Sequence, residues 1–370
     1  MITNMQKDTK IYIAGHKGMV GSAIQRRLES GGYTDIIGRT HKKLDLTRQQ
    51  DVEDFFAYEK PEYVFLAAAR VGGILGNSTY KADFIYQNIM IAANIIEASR
   101  KAGVKKLLNL GSTCIYPREA PQPLKEEYLL TGPLEPTNDA YAVAKIAAIR
   151  MCRHYNEQHG TNSLSVMPTN LYGFNDNYDF ETSHFLPAFI RKFHLAKLLA
   201  AGDFEAIRQD FTTHGAPPSL TNADYKDEKL VDALAKLGIE ADRITLWGTG
   251  SPYREFLFAD DLADACVFLM ERYDAKDLGE FVNVGTGEDR TIKEYADIVS
   301  KVVGFEGAIA WDTAKPDGTP RKLSDVTRIK ALGWEAKTEL TRGLELVYTT
   351  YEQPSAASSA GGQGLRGNFT

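Results

Sequence analysis

A doubly wound α/β fold, built on a parallel sheet, is predicted for this 370-residue chain by three observations. Short apolar runs alternate with helical spacings through residues 8–170. The connections between them are short. A glycine-rich turn, Gly15-His16-Lys17-Gly18-Met19-Val20-Gly21, falls between the first apolar run and the first helical pattern. Such alternation lays strands side by side with helices crossing over both faces of the sheet.

The elements follow in order. Residues 11–14 (Ile-Tyr-Ile-Ala) form the first strand, and 22–30 carry helical spacing with Ile24 and Leu28 on one face. A second strand over 35–38 ends at Arg39, and a third covers 63–69 behind the breaker Pro61. A long helix over 84–101 precedes a strand at 106–110. Another helix over 140–158 precedes a strand at 163–167. Beyond Pro168 the pattern loosens into a smaller C-terminal substrate-binding lobe spanning 171–350, some of whose segments return to the large sheet. It contains a helix over 185–199, strands at 244–247 and 281–284, and a helical stretch over 260–273. The stretch 212–227, rich in Pro, Thr, Asn and Asp, reads as an exposed excursion. The last residues, 355–370, are rich in Ser, Ala and Gly and read as a disordered tail.

Composition narrows the function. Hydrophobic content of 43% and charged content of 25% belong to an ordinary globular chain. A net charge of −6 supplies no basic footprint for nucleic acid. Three scattered cysteines, Cys114, Cys152 and Cys266, match neither a disulfide framework nor a metal site, so no metal is expected. With a polar start and no apolar run of membrane-spanning length, the expectation is a soluble, cytoplasmic protein.

The glycines of 15–21 lie between a strand and a helix, the context in which such a pattern binds a dinucleotide. They allow a tight turn and close approach of a pyrophosphate, and the helix N-terminus adds its dipole. Gly15, His16, Lys17, Gly18, Met19, Val20 and Gly21 are therefore candidate cofactor residues. A carboxylate at the end of the second strand would hold the ribose of NAD; here stands Arg39, whose guanidinium can pair with a 2′-phosphate, so NADP (NADPH) is expected. The alternative is a solvated surface arginine. Asp45 and Leu46 are further candidates for the cofactor's surroundings.

Tyr141 and Lys145, four residues apart on one helix face, supply a phenol and an ammonium expected to lower its pKa. Ser112, at a strand end, would hold a carbonyl oxygen. Together they describe hydride transfer at a sugar or alcohol carbon. Cys114 has two readings: a small buried hydrophobe, or a thiolate that removes a proton beside a ketone. His184 is the candidate acid for an epimerisation, with a structural histidine as its alternative.

Six stretches carry a resemblance. They are Gly15-His16-Lys17-Gly18-Met19-Val20-Gly21-Ser22, Gly111-Ser112-Thr113-Cys114-Ile115-Tyr116-Pro117, Pro168-Thr169-Asn170-Leu171-Tyr172-Gly173, Trp247-Gly248-Thr249-Gly250, Arg254-Glu255-Phe256-Leu257 and Lys315-Pro316-Asp317-Gly318-Thr319-Pro320-Arg321-Lys322. The chain resembles the GDP-L-fucose synthase family of extended short-chain dehydrogenases/reductases, over about 11–351. The resemblance implies a Rossmann-type fold. It also implies NADPH-dependent 3,5-epimerisation and 4-reduction of GDP-4-keto-6-deoxy-D-mannose, and by analogy a homodimer. It assigns Ser112, Tyr141 and Lys145 to the reductase triad, Cys114 to the epimerisation base and His184 to its acid. It places Leu110, Gly111, Ser112, Thr113, Lys145, Pro168, Thr169, Asn170, Leu171 and His184 near the cofactor. Lys192, Trp247, Arg254 and Asp317 fall near the GDP-sugar. One departure from shorter members is the segment 200–242, which reads as a surface insertion, a lid or a dimer contact. Other GDP-4-keto sugars, and a nucleotide-sugar 4-epimerase or dehydratase, stay open as alternatives.

Overall fold

The computed structural model describes residues 5–72, 79–220, 225–315 and 317–353. Pro316 and the 355–370 stretch read as a tail lie outside the described residues. The chain divides into two compact units. The first comprises Met1–Asn175, Glu255–Asp289 and Lys322–Thr338; the second comprises Asp176–Arg254, Arg290–Arg321 and Glu339–Thr370.

The first unit is a six-stranded parallel sheet. In chain order it begins β1 (Ile11–Ala14), α1 (Met19–Ser30), β2 (Ile36–Ile37), α2 (Gln49–Glu59) and β3 (Tyr63–Leu66). It continues α3 (Lys81–Lys101), β4 (Lys106–Leu110), α4 (Asp139–His159) and β5 (Ser163–Pro168). Laterally the strands run Val282–Val284, β5, β4, β3, β1, β2. Side chains alternate across a strand, and both faces of this sheet are apolar. Ile11, Ile13, Tyr63, Phe65, Leu108 and Leu110 pack with α1 and the helix Ala259–Arg272. Tyr12, Ala14, Val64, Leu66 and Leu107 pack with residues of α2, α3 and α4. Continuous apolar strands are thus the signature of a sheet covered on both sides.

Boundaries shift where local packing decides them. α1 starts at Met19, not 22, because Gly18 serves as its N-cap and the Ser22 amide already donates to Gly18 O. β3 stops at Leu66 rather than 69: the Arg70 amide is taken by the Asn88 side chain of α3, 2.8 Å away. β2 shrinks to two half-buried residues, since at the sheet edge it has a single neighbour to pair with. A short strand β6 (Asn170–Tyr172) then leaves the sheet and pairs in parallel with Phe256–Phe258.

The second unit contains the helices Phe185–Ala201, Phe204–His214, Asp227–Ala235, Ile292–Val303 and Leu340–Glu352, and a parallel ladder of Arg243–Trp247 with Ala308–Asp312. The 212–227 excursion is mostly exposed or half-buried where described, with 221–224 outside the described residues, but its ends belong to helices. Thr212–His214 close the helix Phe204–His214, Pro217 is buried, and Asp227 opens the next helix. The larger segment 200–242 buries Ile207, Phe211, Leu230, Leu234 and Ile239, so it is part of this unit's core rather than an inert surface insertion. The i, i+4 pairs Ile207/Phe211 and Leu230/Leu234 supply the apolar stripes that its polar composition obscures.

An ion pair anchors that segment. Arg191, 1% exposed, donates from Nε and Nη2 to Asp210 Oδ1 at 2.9 and 2.8 Å, and from Nη1 to the carbonyls of Tyr178 and His214. The Tyr351 hydroxyl donates to the other Asp210 oxygen. Removing one partner strands the other charge in a desolvated site. Asp210→Ala is expected to destabilise the chain by about 3–5 kcal/mol in urea unfolding; a loss below about 1 kcal/mol, the range of an exposed pair, would show the bridge to be solvated.

Candidate active site

The dinucleotide turn is built on backbone contact. Gly15 has φ +85°, and a Cβ there would lie 2.8 Å from the Ala68 nitrogen. A Cβ on Gly21 would lie 2.1 Å from Gly15 O, so the first turn of α1 presses directly on the loop. Gly18 differs: its Cβ would meet only Gly15 O, at 3.5 Å, an ordinary contact. Among the described residues nothing packs tightly enough there to demand glycine, so the turn leaves room at 18. The N-terminus of α1 carries no side-chain cap, so Met19 and Val20 stand in a helix start whose amides suit an anion. His16 Nδ1 is buried without a hydrogen-bond partner, and its ring fills the space a Cβ of Gly38 would occupy, 2.3 Å away. Burial, with Lys17 and Arg39 nearby, keeps this imidazole neutral. These features fit a dinucleotide diphosphate.

Arg39 is half-buried and already engaged. It is ion-paired with Glu59, donates to Gly38 O at 2.9 Å and stacks over Phe55. Asp45 Oδ1 accepts from the Thr47 amide and hydroxyl, and Leu46 O accepts from Asn94 Nδ2 at 2.9 Å, so both sit in a pinned turn.

At the carboxyl end of β4, the Gly111 amide donates to Val166 O at 2.8 Å, and a Cβ there would strike the Met167 side chain. Leu110 and Thr113 are buried beside it. Ser112 caps a single 3₁₀ turn, Thr113–Ile115, by accepting from the Cys114 amide at 3.4 Å. On α4, Lys145 Nζ donates to Leu110 O at 2.7 Å and lies 5.6 Å from the centre of the Tyr141 ring. Ser112, Cys114, Tyr141 and Lys145 are therefore brought together within the first unit. Pro168 ends β5 there. The Thr169 hydroxyl and Asn170 Nδ2 donate to Glu255 O, and Leu171 is half-buried in β6.

The electrostatics correct two expectations. Lys145 does not lower the Tyr141 phenol: burial raises it well above its usual value, and the Cys114 thiolate would add to that. Burial also brings Lys145 down to about 8. Cys114, 8% exposed, is likewise not tuned toward neutrality: burial raises it, opposed by the Ser112 hydroxyl, Lys322 and Lys145. In the unliganded protein the phenol and the thiol both keep their protons. A protonated phenol is the form that can donate to an oxygen gaining charge during reduction.

The second unit carries the remaining candidates. His184 is the N-cap of the helix Phe185–Ala201; solvent reaches it, yet the protein mass around it lowers its pKa and keeps the ring neutral. Lys192, on the same helix, donates to Leu237 O at 2.8 Å and is brought down to about 8 by burial. Trp247 ends its strand 72% exposed, with Lys315 Nζ 5.2 Å from its ring centre. Asp317 accepts from the Thr249 amide and hydroxyl at 2.9 and 2.6 Å. Arg254 donates to Tyr253 O and Thr319 O, both at 2.7 Å. An exposed aromatic face, a guanidinium and a carboxylate thus occur together within this unit.

Three participants escaped the sequence. Gly38 is required by the His16 ring. Lys322 acts on the Cys114 thiol across more than two hundred residues of chain, a distance no local spacing reveals. Glu255 is fully buried, and the one available signal was a charged residue preceding the apolar run Phe256-Leu257-Phe258.

A glycine turn opening a helix at the first strand, with a hydroxyl, phenol and amine at the end of the fourth, defines a dinucleotide-dependent enzyme of the epimerase and dehydrogenase class. The model of the NAD dependent epimerase/dehydratase family matches residues 11–212 and 211–285. The chain is 51% identical to a putative GDP-L-fucose synthase 2 of Arabidopsis thaliana over 347 residues, 94% of this chain and 93% of that protein. Among solved structures it is similar to a GDP-6-OMe-4-keto-L-xylo-heptose reductase of Campylobacter jejuni, at 43% identity and a TM-score of 0.88, covering 94% and 99% of the two chains. A GDP-mannoheptose C4 reductase of the same organism, solved with NADP bound, gives 43% identity and a TM-score of 0.83 with the same coverage. The chain belongs to the NAD dependent epimerase/dehydratase family, on the branch of the GDP-L-fucose synthases.

Proposed function

We propose that this enzyme epimerises GDP-4-keto-6-deoxy-D-mannose at C3 and C5 and reduces C4 with NADPH, giving GDP-L-fucose. The observation that carries the reading is the strand-end cluster: Cys114 and Ser112 on one short turn, with Tyr141 and Lys145 packed around them. The 4-keto group makes C3 and C5 acidic and is itself the electrophile, so one ketone serves both steps. Cys114, once deprotonated, removes the proton from each carbon, and the negative charge delocalises onto O4, where Ser112 donates a hydrogen bond. His184, once protonated, returns a proton from the opposite side of the sugar ring. NADPH held by the Gly15–Gly21 turn and Arg39 would supply the hydride for C4. Tyr141 then gives its phenolic proton to O4, and the Lys145 ammonium stabilises the phenolate left behind. Arg254 and Lys192 are assigned to the diphosphate, Trp247 to the flat face it offers, and Asp317 to hydroxyl groups.

The NADP preference is supported by Arg39 at the end of β2 and by the NADP bound to the heptose reductase. Arg39→Ala is expected to raise KM for NADPH about tenfold, the loss of one charge-assisted pair, while KM for NADH stays near the parent's. Equal changes for both cofactors would remove Arg39 from the 2′-phosphate. A homodimer is supported by the exposed side chains Tyr86 on α3 and Val143 on α4.

Product NMR after incubation with GDP-4-keto-6-deoxy-D-mannose and NADPH tests the whole reading, because it reports stereochemistry and reduction together. A reduced but unepimerised product would favour a second reading, C4 reduction of another GDP-4-keto sugar, to which the similarity with the heptose reductases points.

A further inference from the structure

Arg191 lies in the second turn of the helix Phe185–Ala201 and is 1% exposed. A guanidinium has five N–H donors, and here all five are met. Nε and Nη2 donate to Asp210 Oδ1 at 2.9 and 2.8 Å, Nη1 to His214 O at 3.1 Å and Nη2 to Gly215 O at 2.5 Å. Four of the five bonds therefore go to the segment 200–242, to which the proposed reaction gives no task. The fifth goes elsewhere. Nη1 also donates to Tyr178 O at 2.9 Å, and the Phe180 ring covers the guanidinium face, its centre 3.8 Å from the central carbon. A buried ion pair adds little stability over apolar side chains of the same volume, so its presence calls for a reason.

The loop that carries Tyr178 and Phe180 supplies one. It is turned tightly around Asp179. Asp179 Oδ1 accepts from the Glu181 amide at 3.0 Å and from the Thr182 amide and hydroxyl at 3.0 and 2.9 Å. Asp179 O accepts from the Ser183 amide at 3.1 Å. The Tyr178 ring is gripped as well, 5.2 Å from His214 and 4.7 Å from Tyr351. The residue after Ser183 is His184, the N-cap of the helix, whose side chain makes no capping hydrogen bond. Its imidazole is therefore placed by its backbone, which continues directly from the loop bound at Tyr178 and Phe180.

We propose that Arg191 is a positioning residue: held by the 200–242 segment through Asp210, it clamps the 178–183 loop and so sets where the His184 imidazole stands. A planar fork can bind a carboxylate and carbonyls on separate elements at once, which a point charge cannot. The effect on turnover rests on His184 being the acid of the proposed reaction. The positioning itself does not, and one of the two measurements needs no substrate.

Arg191→Lys keeps the charge beside Asp210 and gives up the fork, so the Tyr178 carbonyl loses its donor. The first measurement is the NMR titration of the His184 ring in the full chain carrying isotope-labelled histidine, its signal identified by its absence in His184→Gln. The protein around His184 lowers its pKa from 6.5, so a loosened loop should let it titrate at higher pH than in the parent. The second measurement follows GDP-4-keto-6-deoxy-D-mannose by proton NMR in heavy water, with NADP+ in place of NADPH so that no hydride is delivered. When Cys114, its thiol exchanged with solvent, returns a deuteron to the face it deprotonated, the result is exchange without inversion. Delivery by His184 to the other face gives inversion. Arg191→Lys is expected to lower the ratio of inversion to exchange about tenfold, as a displacement of well under an ångström can. A smaller folded fraction would lower both rates equally and leave the ratio alone, so the ratio separates positioning from stability. Phe180→Leu keeps the five donors satisfied and removes the aromatic face; it should show both changes in smaller measure where Arg191→Lys does not fold. An unmoved His184 titration in Arg191→Lys and Phe180→Leu overturns the proposal. So does an unchanged ratio in these variants where His184→Gln lowers it. If His184→Gln itself leaves the ratio unchanged, the acid role fails and the titration alone decides the positioning.

Discussion

Replacing Tyr141 by phenylalanine is expected to lower kcat for NADPH oxidation by about 10²–10⁴-fold, the contribution of a positioned general acid, with KM little changed. The phenol is raised by burial, so at neutral pH it stands protonated, the form that the proposed donation to O4 requires. Phenylalanine keeps the ring packing and removes only the proton. Stopped-flow single turnover with a pre-epimerised ketone isolates this step; a decrease below about fivefold would assign the proton elsewhere. The same step should weaken as pH rises. Lys145 is brought down to about 8 by burial, so above that pH it is neutral and cannot stabilise the phenolate. Stability moves the other way. The unfolded chain keeps this lysine protonated to a higher pH, near its usual 10.5, so between about 8 and 10.5 it binds more protons and folding stability gains with pH.

The second large effect concerns Cys114. Cys114→Ser is expected to cut wash-in of deuterium from heavy water at C3 and C5 by about 10²-fold or more, because an alkoxide is far harder to form than a thiolate. Reduction of a pre-epimerised ketone should remain within a few-fold, since Tyr141 and Lys145 are intact. Unchanged wash-in would reject Cys114 as the base. The raised thiol adds a further expectation. In the free enzyme the thiolate forms against burial, so exchange should accelerate with pH until the thiol has titrated.

The two effects separate the steps that share a ketone. A variant lacking Tyr141 should still exchange C3 and C5 protons; one lacking Cys114 should still accept hydride. If both steps fail together in either variant, the turn of Ser112–Cys114 is acting on ketone placement rather than on proton transfer, and the change would appear in KM.

Much of this was legible in local pattern. Unbroken burial along Ile11–Ala14 and Tyr63–Leu66 is written in residue type, because a strand covered on both faces is apolar at every position. Gly21 is demanded by a backbone contact with Gly15 in the same turn, and Tyr141 and Lys145 are paired by one helical turn. Sequence alone therefore determined the sheet, the dinucleotide turn and the identity of the phenol, amine and thiol, all consequences of short-range sterics and periodicity. What only the tertiary structure decided depends on burial and on distant chain. It directed Lys145 to a strand carbonyl and raised the Tyr141 phenol. It folded the polar 200–242 segment around the Arg191–Asp210 pair, and buried the Glu255 carboxylate against backbone amides of two distant segments. Protonation states follow from desolvation and from charges that converge only after folding, and no spacing along the chain encodes either one.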